Sequence, residues 1–257
     1  MTMKKILSIL LLGLVFQSAY AKTFDEIKSS GMLRIGVPAD YAPLAYYNEN
    51  QRLVGFDIDM AKDLAKSLNL TPVFVITSWP TLSQDLADDH YDIAMGGVTY
   101  TPARAEQFLL SKPVVPNGKI ALASCQSATK LTNLDKINQA DVKVVVNPGG
   151  TNESFVNNNI HDAQIIRVKD NFANIQALRE QTADMMVTDL IEGYYYQYKE
   201  PGVLCLATKV PFAGTKSYKA YMVQHQNSDL IDYINNWLIQ TDISRVANHW
   251  GVHTKLD

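Results

Sequence analysis

An arginine that follows a strand-like run is the first residue whose type and position suggest chemistry. Arg104 ends the segment Thr101-Pro-Ala-Arg104, in which Thr101 and Pro102 can begin a helix. A guanidinium group binds a carboxylate through two parallel charge-assisted hydrogen bonds, which a lysine cannot reproduce. Arg104 is therefore a candidate for holding a ligand carboxylate. An exposed helical arginine is the alternative.

A glycine-rich turn offers a second place for an anion. The motif Asn147-Pro-Gly-Gly-Thr151-Asn152-Glu153 follows an apolar run at residues 142–146 and precedes a helical pattern. Glycines let the backbone approach a ligand closely, and unpaired N–H groups at a helix start favour an anion. Thr151 and Asn152 are therefore candidates for holding a second carboxylate. A simple turn with a helix cap is the alternative.

Two carboxyl residues follow another apolar run, at residues 185–187. Asp189 and Glu192 are about one helical turn apart, so they can face the same side of the structure. Burial or a nearby carboxylate would raise the pKa of Glu192 and keep the group protonated near neutral pH. The alternative for Glu192 is a solvated glutamate at a helix start, stabilised by the helix macrodipole.

Two aromatic residues next to prolines complete the candidate set. Tyr41 precedes Pro43, and Trp79 directly precedes Pro80, which places the tryptophan in a loop rather than in a strand. Aromatic faces would pack against a six-membered ring, and the tyrosine hydroxyl could bond a ligand oxygen. Either side chain could instead belong to the core.

Other catalytic and binding classes lack support in the sequence. It contains no G-x-S-x-G, H-E-x-x-H, C-x-x-C, P-loop or G-x-G-x-x-G motif, which disfavours serine hydrolases, zinc proteases, thioredoxins and nucleotide-binding proteins. A net charge of −3 offers no basic face for nucleic acid. We predict no metal, no organic cofactor and no nucleic-acid partner.

The first 21 residues are typical of an export signal. Lys4 and Lys5 precede an apolar run at residues 6–16 that is short for a membrane span, and Ala19-Tyr-Ala21 is a small-x-small cleavage site. We predict a mature chain that begins at Lys22, works in the periplasm and has no stable membrane insertion. An uncleaved anchor is the weaker alternative.

Export also bears on the two cysteines, Cys125 and Cys205. Disulfides form and persist in oxidising compartments, and the wide separation of the two residues does not suit a zinc site. We predict a single disulfide between them. Two buried free thiols are the alternative.

Hydrophobic patterns alternate between strands and helices along the chain. Apolar residues recur with helical spacing from Phe56 to Leu68, whereas short apolar runs mark strands. This alternation predicts an α/β fold with parallel sheets. The predicted strands cover residues 33–37, 73–76, 93–95, 120–123, 142–146, 164–166, 185–187 and 219–223.

The chain has 257 residues, 47% of them hydrophobic and 19% charged, which suits one large domain or two small ones. Because no flexible linker separates two halves, we expect lobes joined by segments that cross between them. The candidate crossings, residues 111–118 and 209–214, carry Pro and Gly between apolar runs. The predicted division is a signal at 1–21, a discontinuous lobe 1 at 22–114 plus 213–257, and a lobe 2 at 115–212.

Six motifs are spread along the predicted mature chain. They are Gly31-x-Leu33-Arg-Ile-Gly36, Tyr41-x-Pro43, Gly55-Phe-Asp57-Ile-Asp59, Asp92-Ile-Ala-Met95, Thr101-Pro-x-Arg104 and Ser111-Lys-Pro113. In this order they resemble the bacterial family 3 solute-binding proteins of amino-acid transporters. The resemblance implies a type II periplasmic-binding-protein fold, with two α/β lobes that hold a small anionic ligand between them. It also implies that Arg104 holds the ligand carboxylate, and that an acidic residue at the position of Asp189 holds a ligand ammonium group.

Three further segments are similar to one branch of that superfamily, the periplasmic cyclohexadienyl dehydratases. They are Thr77-Ser-Trp79-Pro80, Asn147-Pro-Gly-Gly-Thr-Asn-Glu153 and Thr188-Asp-Leu-Ile-Glu192. The similarity implies a hydro-lyase that converts prephenate to phenylpyruvate, or arogenate to phenylalanine, with Glu192 as the general acid. Lys219 matches a lysine of the dehydratase pattern. The predicted substrate-binding residues are Arg104, Thr151, Asn152, Tyr41, Trp79, Thr99, Asp189 and Lys219.

The second hypothesis is a receptor that binds an amino acid and delivers it, unaltered, to an ABC permease. A shared fold does not choose between an enzyme and a receptor. The dehydratase hypothesis requires only a small dicarboxylate as partner. Both a monomer and a homo-oligomer are compatible with the sequence.

Overall fold

The structure, a computed structural model, describes residues 22–255. The predicted export signal, residues 1–21, lies outside the described residues. Within residues 22–255, no helix has both the length and the hydrophobicity that a membrane span requires.

Strands and helices alternate along the described residues. The strands are β1 (Met32–Val37), β2 (Asp40–Tyr41), β3 (Ala45–Tyr47), β4 (Leu53–Val54), β5 (Thr71–Ile76), β6 (Ile93–Ala94), β7 (Phe108–Leu110), β8 (Val115–Asn117), β9 (Lys119–Ser124), β10 (Lys143–Val146), β11 (Gln164–Arg167), β12 (Met185–Asp189), β13 (Leu204–Leu206), β14 (Ser217–Lys219) and β15 (Met222–Gln224). The helices are α1 (Phe24–Ser30), α2 (Phe56–Ser67), α3 (Leu82–Ala87), α4 (Pro102–Gln107), α5 (Cys125–Ala128), α6 (Leu134–Ile137), α7 (Thr151–Asn159), α8 (Asn171–Arg179), α9 (Leu190–Lys199), α10 (Ser228–Gln240) and α11 (Ile243–Trp250).

Lobe 1 is built on a five-stranded sheet with the strand order β5-β1-β6-β15-β7. β1 pairs in parallel with β5 and β6, whereas β15 is antiparallel to β6 and β7. Helix α2 buries Phe56, Ile58 and Leu64 in the core of this lobe, as its apolar spacing predicts.

Lobe 2 is built on a second five-stranded sheet with the order β11-β10-β12-β9-β13. β10 is parallel to β11 and β12, and β9 is antiparallel to β12 and β13. Val144 and Val146 join one hydrophobic cluster and Val145 joins another, because successive side chains of a strand point to opposite faces. Both faces of the sheet are therefore covered, as in other α/β folds.

The predicted α/β class is confirmed, but the expectation of purely parallel sheets is wrong. Strands β9 and β15 run against their neighbours β12 and β6. Each of them directly follows a strand that crosses between the lobes: β9 follows β8, and β15 follows β14. Parallel pairing needs a longer crossover connection, usually a helix, which these two strands lack.

Two crossing segments join the lobes, as predicted. β8 leads from lobe 1 to β9, β14 leads back to β15, and β8 and β14 pair with each other in antiparallel fashion. The return strand lies later than the predicted segment 209–214, because Phe212 stacks on Phe155 in the core of lobe 2. The exact lobe boundaries stay a prediction, which the strand membership of the two sheets supports.

The predicted strand at residues 219–223 is in fact two strands. Lys219 ends β14 in the crossing pair, and Met222 begins β15 in lobe 1. The chain changes partners at Ala220 and Tyr221, so one continuous ladder cannot form there.

The predicted disulfide between Cys125 and Cys205 is confirmed. Cys125 begins α5, directly after β9, and Cys205 lies in β13, the neighbouring strand. The bond joins residues 80 positions apart within lobe 2. The alternative of two free thiols is therefore wrong.

Candidate functional site

A narrow cavity lies between the lobes, where several strands of both sheets end. Ligand sites of α/β sheets are usually found beyond the carboxyl ends of the parallel strands. Lobe 1 lines the cavity with Tyr41, Trp79, Gly97, Thr99 and Arg104, and lobe 2 with Asn147, Gly150, Thr151, Asn152, Asn171 and Asp189. Seven of the eight predicted binding residues thus line it directly: Tyr41, Trp79, Thr99, Arg104, Thr151, Asn152 and Asp189.

Asp189 is the centre of a buried charge cluster at the end of β12. Its Oδ1 accepts hydrogen bonds from Lys119 Nζ at 2.7 Å and Asn117 Nδ2 at 2.6 Å. Its Oδ2 accepts from Lys219 Nζ at 2.7 Å and the Tyr41 hydroxyl at 2.6 Å. Burial would raise the pKa of Asp189, but the two lysine charges hold it well below its ordinary value. The carboxylate is therefore ionised, and both of its oxygens are occupied.

Lys119, the first residue of β9, is a site residue that the sequence analysis missed. Its ammonium group donates to Thr151 Oγ1 at 2.6 Å and Asn152 Oδ1 at 2.5 Å, in addition to Asp189. The pKa of Lys119 is lowered to about 8, because burial and the charge of Lys219 together outweigh the opposing charge of Asp189. The sequence does contain one indication of this role. Lys119 is the only charged residue of the strand 119–124 and lies at its start, directly after the first crossing segment.

Thr151 and Asn152 begin helix α7, as predicted, and face the cavity from lobe 2. The helix has no side-chain cap on its first N–H groups. The ammonium of Lys119 lies beside this positive end of the helix dipole, which is an unfavourable arrangement without an anion. The helix start and Lys119 together therefore suit a carboxylate.

The two glycines of this turn have different surroundings. Gly150 lines the cavity, and a Cβ there would make only an ordinary contact, 3.9 Å from the backbone nitrogen of Asn152. A Cβ on Gly149 would lie 2.3 Å from the backbone nitrogen of Pro80, which belongs to lobe 1. Gly149 therefore permits a close approach between the lobes, in addition to the approach to a ligand that the sequence suggested.

Arg104 lies in α4 and faces the cavity from lobe 1. Its Nη1 donates to the backbone oxygen of Thr99 at 2.7 Å. Burial lowers the pKa of Arg104, although the charge of Asp189 acts in the opposite direction. Among residues 22–255 no carboxylate forms a salt bridge with it. Its remaining N–H groups are therefore placed to receive an anionic ligand.

Lys219 is also buried, and it links Thr99 to the charge cluster. Its ammonium donates to the Gly97 backbone oxygen at 2.9 Å and to Thr99 Oγ1 at 3.0 Å, besides Asp189. It is not among the residues that line the cavity directly. The structure thus brings Lys219 to the site, in contact with three residues that do line it.

Glu192 lies in the first turn of α9 and is completely buried. The Asn171 amide donates to its Oε1, and the Thr188 hydroxyl donates to its Oε2. Burial raises the pKa of Glu192 to about 8, supported by the charges of Asp189 and Asp40 and opposed by the two hydrogen bonds. Glu192 does not line the cavity directly; Asn171, its hydrogen-bond partner, does.

Tyr41 and Trp79 form an aromatic wall of the cavity. Their rings meet edge to face, with centroids 5.7 Å apart. The Trp79 indole N–H donates to Asp40 at 2.9 Å, and the Tyr41 hydroxyl donates to Asp189 rather than standing free for a ligand oxygen. Asp40 and Asn171 are further site residues that the sequence analysis did not single out.

Positively charged side chains outnumber ionised carboxylates around the cavity. Arg104, Lys119 and Lys219 are cationic, and Asp189 is the ionised carboxylate between the two lysines. A carboxyl group such as Glu192, with its pKa near 8, is mostly protonated at neutral pH. The site therefore favours an anion and holds an acidic proton beside it. Within residues 22–255, no three His, Cys, Asp or Glu side chains form a group suited to a metal ion.

Comparison with known proteins agrees with this fold. The family model of bacterial extracellular solute-binding proteins, family 3, matches residues 33–250. The chain is 36% identical over 220 residues to the cyclohexadienyl dehydratase of Pseudomonas aeruginosa, a match that covers 86% of this chain and 81% of that protein.

Two solved structures extend the comparison. The structure of an ancestral amino-acid-binding protein, a precursor of cyclohexadienyl dehydratase, matches with a TM-score of 0.81 and 32% identity, over 88% of this chain and 98% of that one. The structure of an ancestral cyclohexadienyl dehydratase matches with a TM-score of 0.53 and 39% identity, over 88% and 95%. The type II periplasmic-binding-protein fold is thus confirmed, and the chain belongs to the bacterial extracellular solute-binding proteins of family 3.

Proposed function

We propose that this protein is a cyclohexadienyl dehydratase, a hydro-lyase that converts prephenate to phenylpyruvate with loss of water and CO2. Arogenate, which would give phenylalanine, is the second candidate substrate. The similarity to the Pseudomonas aeruginosa dehydratase over most of both chains supports this activity.

The observation that carries the proposal is the buried carboxyl group of Glu192. It is fully buried, its pKa is raised to about 8, and it is hydrogen-bonded to a residue of the cavity wall. A receptor that only binds an amino acid has no need of such a group. Burying a carboxyl that stays protonated at neutral pH is a common way to provide a general acid.

The reaction needs little more than one proton and a held substrate. Glu192 gives its proton to the ring hydroxyl as the C–O bond breaks and water leaves. The bond between the ring and its carboxylate breaks at the same time, CO2 departs, and the electron pair completes the aromatic ring. Reprotonation of Glu192 from solvent restores the acid, so one proton is consumed for each prephenate dianion. A positioned general acid typically contributes about 10²–10⁴-fold to the rate.

The charges of the site suit a substrate with two carboxylates. Arg104 would bind one carboxylate through its guanidinium fork from lobe 1. The start of α7, with Thr151 and Asn152, would bind the other from lobe 2, and the positive charge of Lys119 beside them would add to the attraction. Tyr41 and Trp79 would pack against the ring. Because the two clamps lie in different lobes, the substrate would also hold the lobes together and exclude water.

An amino-acid receptor that serves an ABC permease is the second candidate. The similarity to an ancestral amino-acid-binding protein favours it. Against it stands the state of Asp189, whose two oxygens are already occupied by lysine ammonium groups. A free carboxylate at this position would be needed to hold a ligand ammonium group.

A steady-state assay tests the proposal. The purified chain is mixed with prephenate, and phenylpyruvate is followed by its absorbance, with the uncatalysed rate subtracted. We expect turnover, and we expect Glu192→Gln to lower kcat by about 10²–10⁴-fold while substrate binding changes little. Glutamine fits the same contacts, because its oxygen can accept from Asn171 and its amide can donate to Thr188.

Glu200→Gln is the matched control. Glu200 follows α9, the helix that carries Glu192, and pairs with Arg179 away from the cavity. The kcat of the Glu200→Gln variant should stay within about twofold of the wild-type value. Tight binding of an amino acid without any turnover of prephenate would support the receptor instead. A Glu192→Gln variant as active as the wild type would contradict the assignment of the acid.

The N-terminal segment and the family support a location outside the cytoplasm. The family is one of extracellular proteins, and residues 1–21 have the pattern of a cleavable export signal. We place the enzyme in the periplasm after cleavage before Lys22. Mass spectrometry of the protein isolated from a bacterial periplasmic extract would test the cleavage site.

A further inference from the structure

Asp40 is a buried carboxylate that joins the two lobes and that the proposed reaction does not use directly. It lies in β2 on the lobe 1 side and accepts hydrogen bonds on both oxygens. Oδ1 accepts from the Trp79 indole at 2.9 Å, and Oδ2 accepts from the backbone N–H of Asn171 at 3.0 Å. The Asn171 side-chain amide donates in turn to the Asp40 backbone oxygen at 3.2 Å. Asp40 therefore binds a cavity-wall residue of each lobe.

Asn171 extends this connection to the proposed acid. The same side-chain amide nitrogen that reaches Asp40 also donates to Glu192 Oε1. Its oxygen accepts from the Asn174 amide at 3.2 Å, which fixes the orientation of the Asn171 side chain. Asn171 is almost fully buried and lines the cavity. Its position is thus set by Asp40 on one side and transmitted to Glu192 on the other.

We infer that Asp40 is a positioning residue, which uses the closed arrangement of the lobes to hold Asn171, and through it the carboxyl group of Glu192, in the geometry needed for proton transfer. This inference rests on the proposed dehydratase function.

The hydrogen bonds between Asp40 and Asn171 link the position of the acid to the arrangement of the lobes. Asp40 and Asn171 belong to different lobes, so their hydrogen bonds require the lobes to lie against each other as they do in this structure. In an open arrangement the Asn171 backbone N–H and side-chain amide would lose their acceptors on Asp40, and only the lobe 2 contacts with Glu192 and Asn174 would hold the side chain. The acid would then be held more firmly when a substrate is enclosed. A misplacement of catalytic groups by about 1 Å can cost about 10²-fold in rate.

The test is a double-mutant cycle with prephenate as substrate. Asparagine at position 40 keeps the size of the side chain but turns one acceptor oxygen into a donor, which would face the donor of Trp79 or of Asn171. We expect Asp40→Asn to lower kcat by at least about tenfold. In a Glu192→Gln background the same change should lower kcat by less than about twofold, because residues that act through one another are not additive.

Asp170→Asn is the matched control. Asp170 caps the same helix, α8, by accepting from the Ala173 backbone N–H, and it is partly exposed. The change removes one negative charge next to Asn171 without touching Asp40 or Glu192, and asparagine remains a good cap. Asp170→Asn should change kcat by less than about twofold, both in the wild type and in the Glu192→Gln variant.

The outcomes separate the inference from the function on which it rests. A wild type without turnover would overturn both together. An active wild type with an unchanged kcat in Asp40→Asn would overturn the inference alone, as would an equal loss in the Glu192→Gln background, which indicates a merely structural role. If Asp40→Asn shows no cooperative thermal transition, Asn171→Ala takes its place, and it must show the same non-additive loss with Glu192→Gln.

Discussion

Asp189 and Lys219 form a buried ion pair between the lobes, with Lys219 Nζ 2.7 Å from Asp189 Oδ2. Asp189 ends a strand of lobe 2, and Lys219 ends a strand of the crossing pair. Removing one partner of such a pair leaves an uncompensated buried charge. The pair occupies the carboxylate that would otherwise be available to a ligand ammonium group.

This pair predicts the choice between substrates. Prephenate carries two carboxylates and no ammonium group, whereas arogenate carries an ammonium that the two lysines would repel. We expect kcat/KM for prephenate to exceed that for arogenate by at least about tenfold. Lys219→Met should lower this ratio by about tenfold, because it removes one of the two repelling charges and leaves Asp189 Oδ2 bonded only to the Tyr41 hydroxyl. Lys216→Met, which removes an exposed charge nearby, should leave the ratio unchanged. A ratio that Lys219→Met does not alter would contradict this account.

The raised pKa of Glu192 predicts a dependence of stability on pH. Its folded-state value of about 8 lies above the ordinary value of 4.5, so the protonated group stabilises the folded chain. That stabilisation is complete below pH 4.5 and is lost as the pH rises through about 8. Glutamine cannot ionise. The free energy of unfolding of Glu192→Gln, relative to that of the wild type, should therefore rise by up to about 1.4 kcal/mol per pH unit between these limits.

Urea denaturation of both proteins at several pH values measures this difference. Other buried groups that titrate nearby, such as Asp57 and Lys119, are present in both proteins and largely cancel. A difference that stays constant with pH would show that Glu192 has an ordinary pKa in the folded chain.

The close approach of Gly149 to Pro80 predicts that activity requires contact between the lobes at this point. A Cβ at this position would lie 2.3 Å from Pro80, and the positive φ of +89° disfavours other residues in any case. Gly149→Ala should lower kcat by about tenfold and shift the chain towards an open form, seen as a larger radius of gyration in X-ray scattering with phenylpyruvate bound. Gly202→Ala is the control, because Gly202 has a φ of +79° but no atom within 4 Å of its Cβ position. Equal behaviour of the two variants would assign the effect to backbone strain alone.

The position of Arg104 at the cavity predicts that substrate binding needs its guanidinium fork and not only a positive charge. Arg104→Lys keeps the charge but loses the two parallel hydrogen bonds, so kcat/KM should fall by about 10–100-fold, mainly through KM. Steady-state kinetics, together with the calorimetric affinity for phenylpyruvate, measure the effect. Arg245→Lys, an exposed exchange of the same type in α11, is the control. Full activity of Arg104→Lys would exclude bidentate binding at this residue.

Much of the local structure could be predicted from the sequence. Helix α2 and most strands of the two sheets follow from patterns within a few residues of each other, but the edge strands β7 and β13 were not predicted. The strand at residues 219–223 was mispredicted because its division depends on which partner strands are available, and these lie elsewhere in the chain.

The sequence by itself determined the alternation of strands and helices, the pair of cysteines and the candidates Arg104, Thr151, Asn152, Asp189 and Glu192, because residue type and short-range spacing carry this information. Only the tertiary structure decided that Lys119 and Lys219 neutralise Asp189, and that Asp40 reaches Glu192 through Asn171. These contacts join residues that lie 21 to 131 positions apart. Their geometry depends on how two separately folded sheets face each other, which no local pattern encodes.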